Sequence, residues 1–86
     1  MMPNLYIVAT PIGNLEDITI RAVRILSEVG LIAAEDTRIT RRILRRYDIN
    51  VPITSYHQHN QHSKLPVLLK MLKERDIALV SDAGMP

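Results

Sequence analysis

Apolar residues in this chain gather into four short runs, and each run ends in a cluster of polar and turn-forming residues. Leu5 to Ala9 passes into Thr10-Pro11-Ile12-Gly13-Asn14, and Leu31 to Ala34 passes into Glu35-Asp36-Thr37-Arg38. Ile53 to Tyr56 passes into His57-Gln58-His59-Asn60, and Ile77 to Val80 into Ser81-Asp82-Ala83-Gly84-Met85-Pro86. Read as parallel strands joined by helical crossovers, the runs place all four clusters along the carboxyl edge of one sheet. Open α/β sheets bind their ligands at that edge.

The intervening segments carry helical spacing. Ile18, Ala22, Ile25, Leu26 and Val29 recur at the helical period, with Asp17 as the expected N-cap and Gly30 placed to end the helix. In the second segment, from about Thr40 to Tyr47, Ile39, Ile43, Leu44 and Tyr47 fall on one arc of a helix that turns roughly 100° per residue. Arg38, Arg41, Arg42, Arg45 and Arg46 fill a separate arc. One face is for the core, the other for water or for something acidic. The third segment repeats Leu65, Leu68, Leu69 and Leu72 at i, i+3, i+4 and i+7, with Lys70 and Lys73 late, where they suit the helix dipole. A start at Ser63 would leave Pro66 in the first turn, whereas a start at Asn60 would put it inside the helix. The reading favours Ser63.

Composition sets the outer limits. The 86 residues, 47% of them hydrophobic, make one small domain, in which a sheet covered on both faces is hard to complete. Phe and Trp are absent and there are three Tyr, so the core is aliphatic. The lack of cysteine excludes a disulfide scaffold and a thiolate metal site. The longest apolar stretch is too short to span a bilayer and no signal sequence precedes the first run, so the expected location is cytoplasmic. The sequence stops at Pro86, directly after a strand and within a turn motif, and is read as the front portion of a longer protein.

In order and spacing, the stretch Leu5 to Thr19, then Ala34-Glu35-Asp36-Thr37-Arg38, Ser55-Tyr56-His57 and Ala78-Leu79-Val80-Ser81-Asp82-Ala83-Gly84 resemble the N-terminal domain of the ribosomal-RNA methyltransferases of the tetrapyrrole methylase superfamily. The resemblance covers essentially the whole chain. It implies an open, mainly parallel α/β sheet with helices on both faces, and a second α/β domain that this chain lacks. It also implies S-adenosylmethionine as methyl donor, bound in the cleft between the domains. The substrate it implies is the ribose 2′-hydroxyl of a cytidine in 16S rRNA of the small ribosomal subunit, with the enzyme a homodimer. Two positions depart from the family pattern: Met85 stands where a Thr is usual and Gln58 where a Glu is usual. Another branch of the superfamily, acting on a tetrapyrrole or other small molecule, and a non-catalytic RNA-binding module are the alternatives. The arginine arc argues against the former.

Methyl transfer from a sulfonium to an alcohol is an in-line displacement, which needs alignment of donor and acceptor and removal of a proton, but no metal and no covalent nucleophile. Pro11 and Gly13 lie in a turn that the family places beside the donor; the plain alternative is an ordinary strand-to-helix turn. Asp82, Ala83 and Gly84 have the same character. Small residues there admit an adenosyl group against the backbone, and the Asp82 carboxylate would attract a cationic donor. Glu35 and Asp36 are the candidate catalytic residues, as general base or ribose anchor, although alternation along a strand lets only one of the pair face a cleft. Asp36 or Thr37 is also the expected N-cap of the arginine-rich helix. Arg38, Arg41, Arg42 and Arg45 are the candidate phosphate contacts, five arginines within nine residues being enough to neutralise several phosphates. A solvated face is the plain alternative, with Asp48 and Glu35 screening part of it. A net charge of +2 is compatible with an RNA partner without requiring one. His57, His59 and His62 do not make a metal site, because no carboxylate or thiolate lies among them to complete it. His57, next to Tyr56, is the candidate for a contact to nucleotide or donor.

Overall fold

The computed structural model of the chain describes residues 3–10 and 18–81. Within them, strands β1 (Leu5–Ala9), β2 (Leu31–Ala34), β3 (Ile53–Ser55) and β4 (Ile77–Ser81) alternate with helices α1 (Ile20–Glu28), α2 (Thr37–Arg46) and α3 (Gln61–Leu72). The four strands form one parallel sheet in the order β1-β4-β2-β3. The last strand in sequence is therefore inserted between the first two. Leu31 and Leu5 both align with Ile77, so the strand ends are level along the carboxyl edge.

Handedness decides the faces. The steps from β1 to β2 and from β2 to β3 run one way across the sheet and the step from β3 to β4 runs back, so crossovers of a single hand must place α3 opposite α1 and α2. The packing follows this rule. Ala22 and Leu26 of α1 and Ile43 and Leu44 of α2 pack with Val8, Ile32, Ala34, Ala78 and Val80 on one face. On the other, Leu68 of α3 packs with Leu31, Ala33 and Ile77. All of β2 is buried, as expected of a strand covered on both sides, and Ala33 and Ala34 leave room for the helices above and below.

Each helix end has a local cause. Thr19, not Asp17, caps α1, its side chain accepting the Ala22 N–H at 3.0 Å; Asp17 lies outside the described residues. Gly30 follows that helix as expected, and the reason is proximity: a Cβ there would stand 2.9 Å from Cβ of Arg75. Asp36 caps α2, which begins at Thr37, a turn earlier than the apolar spacing alone suggests. At its other end Asp48 adopts φ 55°, Ile49 N–H donates to Leu44 O at 2.8 Å and Asp48 N–H to Arg45 O at 3.3 Å. This pair of bonds satisfies carbonyls that the helix leaves free, and it needs a left-handed residue at Asp48.

The third helix corrects the expectation. It starts at Gln61 after Asn60, and Pro66 lies inside it. Asn60 spends its side chain on the end of β3 and not on a helical N–H, as described below, while Ser63 Oγ donates to Asn60 O at 3.1 Å. Pro66 therefore costs the helix the bond it would make to the exposed His62. The leucine stripe is also only partly used. Leu68 is 8% exposed, but Leu65 and Leu69 are 45% and 53% exposed and, with Leu5, Leu72 and Leu79, border a narrow apolar groove between α3 and β1.

Candidate functional site

Because the strands are parallel and level, the residues that follow them meet at one edge, and Ser81 ties three of the strand ends together. Its carbonyl accepts the Thr10 N–H at 2.9 Å and the Thr10 hydroxyl at 3.3 Å, joining the end of β1 to that of β4. Its own hydroxyl donates to Oε1 of Glu35 at 2.6 Å, joining β4 to the end of β2. The Glu35 N–H completes the tie by donating to Val80 O at 3.3 Å. Thr10 is buried at 4% exposure, so its hydroxyl needs the partner it has. This Thr10–Ser81 pair immediately precedes Pro11 in one segment and Asp82 in the other. Those two residues, with Gly13, Ala83 and Gly84, lie outside the described residues.

The adjacent carboxylates of Glu35 and Asp36 have separate work. Asp36 accepts the Arg38 N–H at 3.0 Å and pairs with the Arg38 side chain at 3.5 Å. Desolvation pushes the Asp36 carboxyl up, but the bonds from the Arg38 backbone and side chain, the Ile39 N–H and the Arg38 charge outweigh it and hold the group below its ordinary value. Glu35 borders a cavity of about 320 Å³, shared with Tyr56, His57, Gln58, Gln61 and Ser81. That volume is at the lower end of the range for small-molecule sites. No Lys or Arg lines it among the described residues.

The far wall of the cavity is the loop from β3 to α3, and Asn60 organises it. Oδ1 of Asn60 accepts the His57 N–H at 2.8 Å, and Nδ2 donates to Ser55 Oγ at 3.0 Å and Ser55 O at 3.4 Å. The chain turns tightly here, with Asn60 N–H donating to His57 O at 3.0 Å. The His59 N–H then donates to Nδ1 of His57 at 3.2 Å. The strand ends at Ser55, so His57 and His59 do not share a strand face. Among the described residues no group of three or more His, Asp or Glu side chains is gathered as a metal site.

The arginine arc lies on the open side of α2. Arg38, Arg41, Arg42, Arg45 and Arg46 are exposed, while Thr40, Ile43 and Leu44 are buried. Arg45 and Arg46 fall in the last turn, where a positive charge suits the dipole. Arg41, Arg42 and Arg45 have no ion-pair partner among the described residues. Among the described residues Glu35 makes no ion pair with these arginines and instead accepts the Ser81 hydroxyl. Sequence reasoning overlooked Thr10, Ser81 and Asn60 as organisers. Thr10 follows β1, Ser81 ends β4 and Asn60 precedes α3, but the bonds that reveal the roles of Thr10 and Ser81 depend on which strands are neighbours.

No helix among the described residues is long and apolar enough to cross a membrane. A family model described as tetrapyrrole (corrin/porphyrin) methylases matches residues 4–86. Among curated proteins, the chain is 58% identical over 83 residues to the ribosomal RNA small subunit methyltransferase I of Halalkalibacterium halodurans, covering 95% of the chain and 29% of that protein. It is 54% identical over 86 residues to the protein of that name from Thermotoga maritima, covering 99% of the chain and 39% of the relative. For the Bacillus subtilis protein of the same name the identity is 53% over 83 residues, covering 95% and 28%. The chain thus spans well under half the length of the relatives it matches. A match over nearly every residue, on an all-parallel sheet whose strand ends are level at one carboxyl edge, makes the chain a member of the tetrapyrrole methylase family.

Proposed function

We propose that this chain forms part of an S-adenosylmethionine-dependent 2′-O-methyltransferase acting on a cytidine ribose in 16S rRNA. A second domain supplies the remainder of the donor cleft, and the whole works as a cytoplasmic homodimer. The observation that supports the reading is the Ser81 junction, which joins the ends of β1 and β4 to the Glu35 carboxylate. The names of the relatives supply the rRNA, and the exposed Arg41, Arg42 and Arg45 of α2 suit its phosphates.

S-adenosylmethionine, when bound, supplies an electrophilic methyl carbon on a sulfonium leaving group. Pro11, Gly13, Asp82, Ala83 and Gly84 are the residues proposed to hold it. Glu35 would accept the proton of the ribose 2′-hydroxyl, while the bound donor would supply the methyl group and depart as a neutral thioether. Asp36 is committed to the helix cap, so Glu35 is the base. Arg38, Arg41, Arg42 and Arg45 hold the rRNA backbone outside the cavity.

The test is methyl transfer from labelled donor by the full-length enzyme, offered small-subunit particles in one reaction and tetrapyrrole acids in another. Label in the particles, located to a ribose by nuclease digestion, is the expected result. Label in the tetrapyrrole alone would assign the chain to the other branch of the family. Asp82→Ala is expected to weaken donor binding, and an unchanged dissociation constant would remove Asp82 from the site.

A further inference from the structure

We infer that His57 is a fixed hydrogen-bond donor to the acceptor ribose in the carboxyl-edge cavity, and that Asn60 is the positioning residue that holds it there. The inference rests on the functional reading above and assigns the residue that orients the sugar for Glu35.

Nδ1 of His57 accepts the His59 N–H at 3.2 Å, and a nitrogen that accepts cannot also carry the proton, so the neutral ring is protonated at Nε2. The backbone of the same residue is clamped by Oδ1 of Asn60 at 2.8 Å. The Asn60 amide has only one workable orientation, because Oδ1 faces an N–H donor while Nδ2 faces two oxygens of Ser55. The ring of His59 packs edge-on at 5.8 Å between centroids. Both the tautomer and the position of His57 are thus set before any ligand arrives.

Nε2–H has no partner among the described residues, and His57 borders the cavity that Glu35 also borders. One Glu35 oxygen is taken by Ser81 and the other remains as an acceptor. The cavity therefore offers a neutral donor and an anionic acceptor. A phosphate would meet the carboxylate with no Lys or Arg to offset it. A ribose meets both demands, since one hydroxyl gives its proton to Glu35 and a neighbouring oxygen of the same sugar receives the His57 N–H. His57 cannot share the role of base, because its free nitrogen carries the proton. It orients the sugar, and Glu35 takes the proton.

Two substitutions separate the ring positions. In the full-length enzyme, His57→Gln can return an N–H near the place of Nε2, whereas His57→Asn offers one only near Nδ1. The expected result is that His57→Asn lowers kcat/KM for small-subunit particles by about tenfold or more. His57→Gln recovers most of that loss, and the dissociation constant for S-adenosylmethionine moves in neither variant. Nitrogen-15 histidine spectra of the full-length enzyme should show the Nε2–H tautomer for His57, and Asn60→Ala should convert it to a mixture of tautomers while lowering kcat/KM. A dominant Nδ1–H tautomer, equal activities for the Gln and Asn variants, or a loss confined to donor affinity would each overturn the inference, the last by moving the ribose to the donor. If wild-type enzyme transfers no methyl to the particles, the functional reading fails instead, and the tautomer spectrum reports on the clamp independently.

Discussion

The Ser81 hydroxyl donates to Oε1 of Glu35 at 2.6 Å across 46 positions of sequence, joining the ends of two strands that neighbour each other only because β4 is inserted beside β2. The bond fixes one carboxylate oxygen of a residue that lines the cavity. Glu35→Gln in the full-length enzyme is expected to lower kcat by about 10²–10⁴-fold, the usual contribution of a positioned general base. Donor affinity should change little. Ser81→Ala should have a smaller effect in the same direction, because the base loses its aim and not its charge. Single-turnover methylation with saturating donor reads both.

The arginine face has a signature in salt. If Arg41, Arg42 and Arg45 each neutralise one phosphate, replacing all three with Gln should flatten the dependence of log affinity on log salt by about three units. Donor affinity should stay the same, because these side chains lie on α2 away from the cavity. Filter binding to small-subunit particles across a salt series measures the slope, and an unaltered slope would leave the arc as a solvated face.

Asp36 should make the fold sensitive to acid. Its carboxyl is held below the ordinary value of 3.8, so its contribution to stability is fully present above that value and is lost as pH falls through the lower, folded one. Asp36→Asn keeps an oxygen for the Arg38 N–H and removes the titrating charge. The variant should unfold at lower temperature than the parent near neutral pH, and the gap between their melting temperatures should narrow on acidification.

Two adjacent leucines of α3 should respond differently to truncation. Leu68 is packed against Leu31, Ala33 and Ile77, and Leu68→Ala is expected to cost about 2–5 kcal/mol. Leu69 is half exposed beside the groove, and Leu69→Ala should change stability by no more than about 0.5 kcal/mol. Urea unfolding of the chain with each substitution compares them directly.

Asp48 holds a left-handed conformation at the end of α2. Glycine takes that conformation without the Cβ contact, and Asp48→Gly should raise stability by about 0.5–1 kcal/mol, less the extra freedom glycine gains in the unfolded chain. A fall in the urea midpoint would show that the Asp48 side chain contributes more to the turn than its backbone costs.

What the sequence by itself determined is local. The four apolar runs are the four strands, with ends moved by a residue at Ser55 and Ser81. The buried and exposed arcs of α2 are those that its 3.6-residue period dictates, because Thr40, Ile43 and Leu44 lie within one turn of each other whatever the rest of the chain does. Where local cues competed, the outcome depended on distant partners. Asn60 starts α3 and leaves Pro66 inside it because its amide is engaged with Ser55 and His57. Only the tertiary structure decided that β4 lies between β1 and β2, since strand pairing is non-local and a continuous apolar run carries no mark of its neighbour. That insertion brings Ser81 to Thr10 and Glu35 at the edge of the cavity, whereas the Asp36 cap is a local bond to the Arg38 N–H. The residue types at the carboxyl edge were written in the chain, but the Ser81 junction came from the order of the strands.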